Sequence, residues 1–360
     1  MDVPTRKGIR TGRGAVSNPT GRFEPTRAEL VDDGWGNLDE ELPPLATTVQ
    51  AEPAKSIISR NQSPDIPFDQ SINPYRGCEH GCIYCYARPS HSYLNLSPGL
   101  DFETKLFYKP DAAKLLEKEL AAPGYKCSPI TIGANTDPYQ PIEREYRVTR
   151  SIIEVLAKYR HPLSIITKSA MIERDIDLLA DMARSNLVLA LVSVTTLDND
   201  LKRTLEPRTA SPAARLRAIR RLSDAGIPVG VMVAPVIPVL TDSEVEKILE
   251  ACAAAGARSA GYVLLRLPHE LGQLFRDWLE QNEPLKAKHV LTRLQEMRGG
   301  RDYDATFGLR QTGVGEYASL LEQRFLRACV KYGLKTRERF VHDRTSFRPP
   351  RTGPQQLDLL

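Results

Sequence analysis

From about residue 67 the chain alternates short β-branched runs with capped helical segments, and no other feature restricts its fold as much. Residues 72–75, 130–134, 163–167, 187–195, 229–233 and 261–265 read as strands. Helical patterns separate them, over 111–121, 149–159, 173–184 and 212–226, then from Thr241 or Asp242 to 256. Asp111 and Ser211 stand at N-cap positions, Pro212 at a first helical position, and Gly226 and Gly256 at the stops. Six strands with helical crossovers need a parallel sheet, so the class is α/β. Two shapes satisfy the pattern, an open doubly wound sheet or a barrel. Either gathers ligands at the C-terminal ends of its strands. The loops there are 77–86, 135–143, 168–170, 196–208 and 234–238.

On either side of this core the pattern fades. Residues 1–55 lack apolar periodicity and read as a flexible tail; the alternative is a tail that wraps the folded body, with Trp35 as an anchor. Residues 56–268 make the core. Residues 269–345 form a helical extension, with patterns at 269–281, 285–297 and 314–332, and 346–360 a second flexible tail. Arg6, Lys7, Arg10 and Arg13 come early, but no apolar segment accompanies them, so no secretory signal is expected. The most apolar stretch, 229–240, is interrupted by Pro235 and Pro238, and a membrane helix needs about 20 apolar residues. The expected location is the cytoplasm, with no membrane partner and with the six cysteines reduced.

Three of those cysteines fall in one loop, Gly77-Cys78-Glu79-His80-Gly81-Cys82-Ile83-Tyr84-Cys85-Tyr86, with the spacing C-x3-C-x2-C. Thiolates this close can surround one metal centre. A closed structural zinc site takes four donors, and so does an electron-transfer 4Fe-4S cluster. Three thiolates on a cluster leave one iron open, as catalysis requires. A zinc site completed by His80 or His91 is the alternative. A helix with Cys78, Cys82 and Cys85 on one core-facing side is a further one, opposed by Gly77, Gly81 and Pro74. Cys252 and Cys329 lie in helical patterns and read as core residues.

The cysteine spacing, with the aromatic Tyr84 just before Cys85, resembles the radical S-adenosylmethionine (SAM) superfamily. Within it the chain is similar to the spore photoproduct lyase-like, or DNA repair photolyase-like, branch. The carrying segments are Gly133-Ala134-Asn135-Thr136-Asp137-Pro138, Ile165-Ile166-Thr167-Lys168, Val192-Ser193-Val194, Glu206-Pro207-Arg208-Thr209-Ala210-Ser211-Pro212 and Gly230-Val231-Met232-Val233-Ala234-Pro235. The resemblance implies a partial (βα)6 TIM-type barrel. It also implies a 4Fe-4S cluster on Cys78, Cys82 and Cys85, with SAM chelating the open iron. An external electron donor such as flavodoxin or ferredoxin would reduce the cluster. SAM would then break into methionine and a 5′-deoxyadenosyl radical, which takes hydrogen from the substrate. By position, Thr136 and Asp137 would lie at the SAM amino group, with Asn135 beside them as a further cofactor-binding residue, and Lys168 and Ser193 at its carboxylate or ribose. Tyr84 would lie by the adenine. Arg208 reads equally as a SAM contact or as the ion-pair partner of Glu206. His91, Tyr93 and Glu143 are the candidate catalytic groups, with Asp101, Glu103 and Tyr139 as further substrate-facing candidates. Spore photoproduct lyases carry a hydrogen-donating cysteine where this chain has Asn135, and Cys127 lies at the start of its strand. That departure puts thymine-dimer lyase activity itself in doubt.

Two features suggest a partner. Residues 286–351 hold 15 Lys and Arg against 7 Asp and Glu, an excess far above the +4 of the whole chain. Arg324, Arg327, Lys331, Lys335, Arg337, Arg339, Arg344, Arg348 and Arg351 are interleaved with Tyr332, Phe340 and Phe347, a pattern suited to phosphates and bases, or to a solvated helix face. The terminal Gln356-Leu357-Asp358-Leu359-Leu360 resembles the peptide by which bacterial repair proteins hold the sliding clamp, with Leu360 in place of the preferred Phe. These features favour a radical SAM enzyme acting on damaged DNA. Modification of RNA, a peptide or a small molecule is the alternative, as is a non-catalytic iron–sulfur or zinc module.

Overall fold

The structure is a computed structural model that describes residues 12–24, 45–336 and 340–350. In chain order its strands are β1 (Thr48–Ala51), β2 (Ser59–Arg60), β3 (Gln70–Ile72), β4 (Tyr75–Arg76), β5 (Lys105–Tyr108), β6 (Ile130–Ile132), β7 (Leu163–Thr167), β8 (Val188–Ser193), β9 (Val229–Val236) and β10 (Ser259–Leu264). The larger sheet has the order β10-β9-β8-β7-β6-β3-β2. All its pairings are parallel except β2 with β3. From β3 to β10 the spatial order follows the chain. Right-handed crossovers that always step the same way put every helix on one face. A sheet covered on one face curls about the other, whereas a doubly wound sheet reverses its order midway. The sequential order therefore selects the partial barrel of six βα units.

Packing explains why these segments form strands. Ile72, Ile132, Ile165, Ala190 and Val229 stand side by side in register, and all are buried. The helices Val148–Lys158, Ile176–Ala183, Pro212–Asp224 and Val245–Ala254 supply the covering layer, with Ile152, Leu156, Leu179, Ile219, Leu222, Ile248 and Leu249 in the same core. Ser211 caps Pro212–Asp224 as expected, accepting from the Ala214 amide at 3.3 Å. Asp111 occupies the N-cap of Ala112–Leu120 without making a capping bond. Cys252 and Cys329 are buried in helices of this core, and Cys127 precedes β6 at the N-terminal end of the barrel.

Three expectations need correction. The first barrel strand ends at Ile72, not Tyr75. Pro74 has no amide to donate, and Tyr75–Arg76 turns away to pair with β5 in a separate sheet of order β1-β5-β4. The tail over 1–55 is folded wherever it is described. Ala15, Val16 and Ser17 are buried, and β1 pairs in parallel with β5. Those residues pack on the folded body, while Trp35 lies outside the described residues. The second tail, 346–360, is packed as far as Arg348. The Arg348 amide bonds the Tyr159 carbonyl at 3.0 Å, and the Phe347 ring meets His161 at 5.1 Å. Gln356 to Leu360, with Arg337, Arg339 and Arg351, lie outside the described residues.

The extension over 269–345 contains the helices Leu271–Asn282, Pro284–Glu296 and Gly315–Lys331. The last packs over the β10 edge, where the Phe325 ring meets Tyr262 at 4.7 Å and Arg324 pairs with Glu246 at 2.7 Å. The loop before it reaches the other edge of the barrel, since Arg310 meets Asp65 at 2.5 Å. No helix among the described residues is long and apolar enough to cross a membrane.

Candidate functional site

The cysteine loop leaves β4 at Gly77, whose φ of +75° favours glycine. A Cβ there would meet Leu106 at 2.7 Å and His91 at 3.0 Å, so only glycine lets the loop lie this close to the small sheet. Gly81 repeats the pattern, with a φ of +70°, and a Cβ on it would fall 2.8 Å from the Glu103 carboxylate. These two turns break any helix through the three cysteines.

The loop's backbone groups are tied to the body. The Cys78 amide donates to the Phe102 carbonyl at 2.9 Å and the Ile83 amide to the Leu205 carbonyl at 3.1 Å. The Glu79 amide donates to Gln140 Oε1 at 2.9 Å. Arg88, fully buried, donates to the carbonyls of Cys82, Gly81 and Gly99 and pairs with the equally buried Glu103. Glu103 also accepts the Gly14 and Ala15 amides at 3.0 and 2.8 Å. An N-terminal strap is thus bolted across the loop through the same carboxylate. Cys78 and Cys82 are buried and Cys85 half-buried. Burial first, and then the neighbouring charges that include Cys85, raise the Cys78 and Cys82 thiols, Cys82 to about 12. A cation bound among them would reverse that balance and deprotonate them.

The strand ends complete the mouth. Asp137, after β6, receives the Thr167 hydroxyl and the Lys168 amide, each at 2.7 Å, and the Tyr139 amide at 2.9 Å. His80 Nδ1 lies 3.4 Å from it. Burial opposes its charge, but His80 and these bonds prevail and hold its carboxyl at about 2. Asp137 therefore joins the cysteine loop to β7. Thr136 donates to the Tyr75 carbonyl at 2.9 Å, and the Asn135 amide to Asn73 Oδ1 at 2.9 Å. Lys168 Nζ lies 5.7 Å over the Tyr84 ring. Tyr84 donates to Glu206, which also accepts from Thr195 at 2.7 Å and pairs with the buried Arg215. Burial again opposes the Glu206 charge, and Arg215 with Lys168 outweighs it, holding the carboxyl at about 2. Arg215 also donates to the Ser193 carbonyl at 3.1 Å. The structure thus gathers Tyr84, Lys168, Ser193, Asp137 and the cysteines at one end of the barrel.

Other sequence candidates stand elsewhere. His91 is buried behind the loop, between the Phe102 and Phe107 rings, with Nε2 at 3.0 Å from the Lys105 carbonyl. Tyr93 is 69% exposed, on the outer surface against Phe23 and Arg22. Glu143 is buried and accepts from Tyr75, from the Thr149 amide at 2.9 Å and from Arg174 at 2.6 Å, so its lone pairs are spent on anchoring the helix Val148–Lys158. Asp101 accepts the Ser97 amide at 3.1 Å, and Tyr139 donates to Asp175 at 3.0 Å. Arg208 pairs with Glu79 instead of Glu206. One residue that sequence reasoning passed over does face the mouth. Tyr86 is 45% exposed, and its hydroxyl reaches the Ala134 carbonyl after β6 while Arg266, after β10, lies 5.2 Å over its ring. Its place beside Cys85 was the only available signal.

A family model, the Radical SAM superfamily, matches residues 72–252, half of the chain. The chain belongs to the radical SAM superfamily. An uncharacterized protein of Mycobacterium tuberculosis is 41% identical over 221 residues, 61% of this chain and 65% of its own length. One of Methanocaldococcus jannaschii is 32% identical over 173 residues, 48% of this chain and 62% of its own. The matches therefore span less than two thirds of these relatives. Among solved structures, spore photoproduct lyase complexed with dinucleoside spore photoproduct aligns over 81% of this chain and 82% of its own, at a TM-score of 0.57 and 18% identity. A variant of that lyase with bound AdoMet and dinucleoside spore photoproduct aligns at the same TM-score and identity, over 81% of both chains. That likeness is one of fold. A radical SAM fold puts its chemistry where the cysteine loop of this chain lies, at the C-terminal ends of the strands.

Proposed function

We propose that this radical SAM enzyme holds a 4Fe-4S cluster on Cys78, Cys82 and Cys85, cleaves SAM reductively, and acts on nucleic acid with damaged DNA as its first candidate. The observation that carries the reading is the loop itself: three thiols at the barrel mouth, every turn fixed by glycine or a buried ion pair. The donor set fits a cluster better than a single ion. The loop supplies three thiols, one donor short of a closed tetrahedral zinc site. His80 is engaged by Asp137, and His91 faces the Lys105 carbonyl, so neither completes a zinc site with the loop as it stands.

When bound, the cluster and SAM supply one-electron cleavage of the sulfonium and a radical that takes hydrogen from the substrate. The chain's own residues position and shield. Lys168 offers a cation to a carboxylate, and Tyr84 is clamped by Glu206 so that its ring borders that cation. DNA is favoured because the aligned lyase structures carry a dinucleoside photoproduct. Anaerobic reconstitution with dithionite and SAM should yield 5′-deoxyadenosine, and Cys82→Ala should abolish it; an unchanged yield in that variant sinks the reading. Damaged oligonucleotides then test the substrate by product analysis. Recovery on immobilised sliding clamp, with and without residues 356–360, tests the terminal peptide, and equal recovery rejects it.

A further inference from the structure

Arg88 and Arg215 are neutralised by carboxylates, Glu103 and Glu206, while the buried Arg13 donates to the Glu103 and Leu45 carbonyls and the Thr47 hydroxyl. Two arginines beside the mouth differ in that each keeps a buried Nε without a partner. Arg298 is 2% exposed and donates only to neutral acceptors, the Leu309 carbonyl at 2.8 Å and the Leu265 carbonyl at 3.0 Å. Its Nε is buried with no hydrogen-bond partner. Arg266, directly after β10, likewise has a buried Nε with no partner and lies over the Tyr86 ring. Among the described residues neither forms an ion pair. Asp304, whose charge reaches Arg298, accepts the Thr306 amide at 2.8 Å instead. Burial, and then the charge of Arg266, lowers the Arg298 pKa.

Two adjacent cations short of counter-charge in a desolvated corner are costly unless an anion joins them. The corner opens beside Tyr86, whose half-exposed ring gives a neighbouring base an apolar surface. Arg is also the side chain whose planar fork matches phosphate oxygens. We propose that Arg266, backed by Arg298, forms an oxyanion site at the β10 side of the barrel mouth that takes a phosphodiester of the nucleic-acid substrate. The phosphodiester part rests on the nucleic-acid reading above; the oxyanion site does not.

The test uses full-length, cluster-reconstituted protein in two arms. In the first, inorganic phosphate is compared with chloride at matched ionic strength by thermal unfolding. Phosphate should raise the midpoint of the wild type by several degrees and leave Arg266→Gln unmoved; an equal response in both overturns the site. In the second, a labelled single-stranded oligonucleotide is titrated by anisotropy. Arg266→Gln should bind about tenfold more weakly, with a log–log salt slope smaller by about 0.7, and Arg266→Lys should recover part of the loss. Iron content and SAM binding should not change. Unchanged oligonucleotide affinity beside a lost phosphate response reduces the site to a free-anion pocket and overturns the phosphodiester assignment. Lost SAM binding assigns the guanidinium to the cofactor and overturns the proposal. A wild type that binds no oligonucleotide refutes the nucleic-acid reading, while the phosphate arm still decides the site.

Discussion

Glu103 shows what one carboxylate can organise. It neutralises Arg88 inside the protein and accepts two amides from the strap, and Arg88 in turn holds the carbonyls of Gly81 and Cys82. Glu103→Gln keeps the shape but leaves Arg88 buried without counter-charge, at a cost of about 3–5 kcal/mol. Urea unfolding should show that loss, and a change below about 1 kcal/mol would mean that the pair is not a keystone. Glu206→Gln strands Arg215 in the same way and turns the charged acceptor of Tyr84 into a weaker, neutral one. It should destabilise by a similar amount and weaken SAM binding in equilibrium dialysis; unaltered SAM affinity would separate the network from the cofactor. The three cysteines were legible because their spacing is local. Glu103 and Glu206 were not, because a sequence shows residue type without burial or partner. The same holds for His91 and Glu143: both are reactive types, and the sequence does not show that the fold buries both, with His91 Nε2 against the Lys105 carbonyl and Glu143 on the Thr149 amide.

At the scale of elements, the βα rhythm was legible because apolar runs record burial on both faces of a parallel sheet. The N-terminal strap was not, because backbone amides bonded to a distant carboxylate leave no hydropathy signal. Gly14 marks its tightest point, where a Cβ would fall 1.8 Å from the Gly81 carbonyl oxygen. The body of a side chain cannot fit there, so Gly14→Val must lift the strap or push the cysteine loop. Iron and sulfide per chain after anaerobic reconstitution should fall by more than half, with far-UV circular dichroism retained. Full cluster content in that variant would show that the loop stands without the strap. The helix Asn199–Leu205, capped by Asp198 inside what reads as a plain loop, was missed because seven residues are too short to display a period.

Across the whole molecule, the chain's last described segment closes the end of the barrel opposite the cysteine loop. His342 Nε2 lies 3.0 Å from the Leu163 carbonyl at the start of β7, and the Phe347 ring sits against Tyr125 and His161. Arg344 and Arg348 therefore lie with this N-terminal face, far in the fold from the loop after β3, and total charge over 286–351 could not reveal that separation. The same packing makes stability depend on pH. Burial lowers the pKa of His161 to about 4, against the opposing effect of the Pro162 carbonyl, and burial lowers that of His342 as well. Both rings are neutral in the fold and readily protonated when unfolded. Their contribution is complete above about pH 6.5 and drains away as pH falls below it, for His161 down toward 4. For His161 alone the loss between pH 7.5 and 5 is about 2 kcal/mol. His161→Gln cannot take up that proton, so its urea midpoint should change less over the same range than that of the wild type. If both proteins lose stability in parallel, carboxylates elsewhere carry the acid sensitivity and the closed end of the barrel does not.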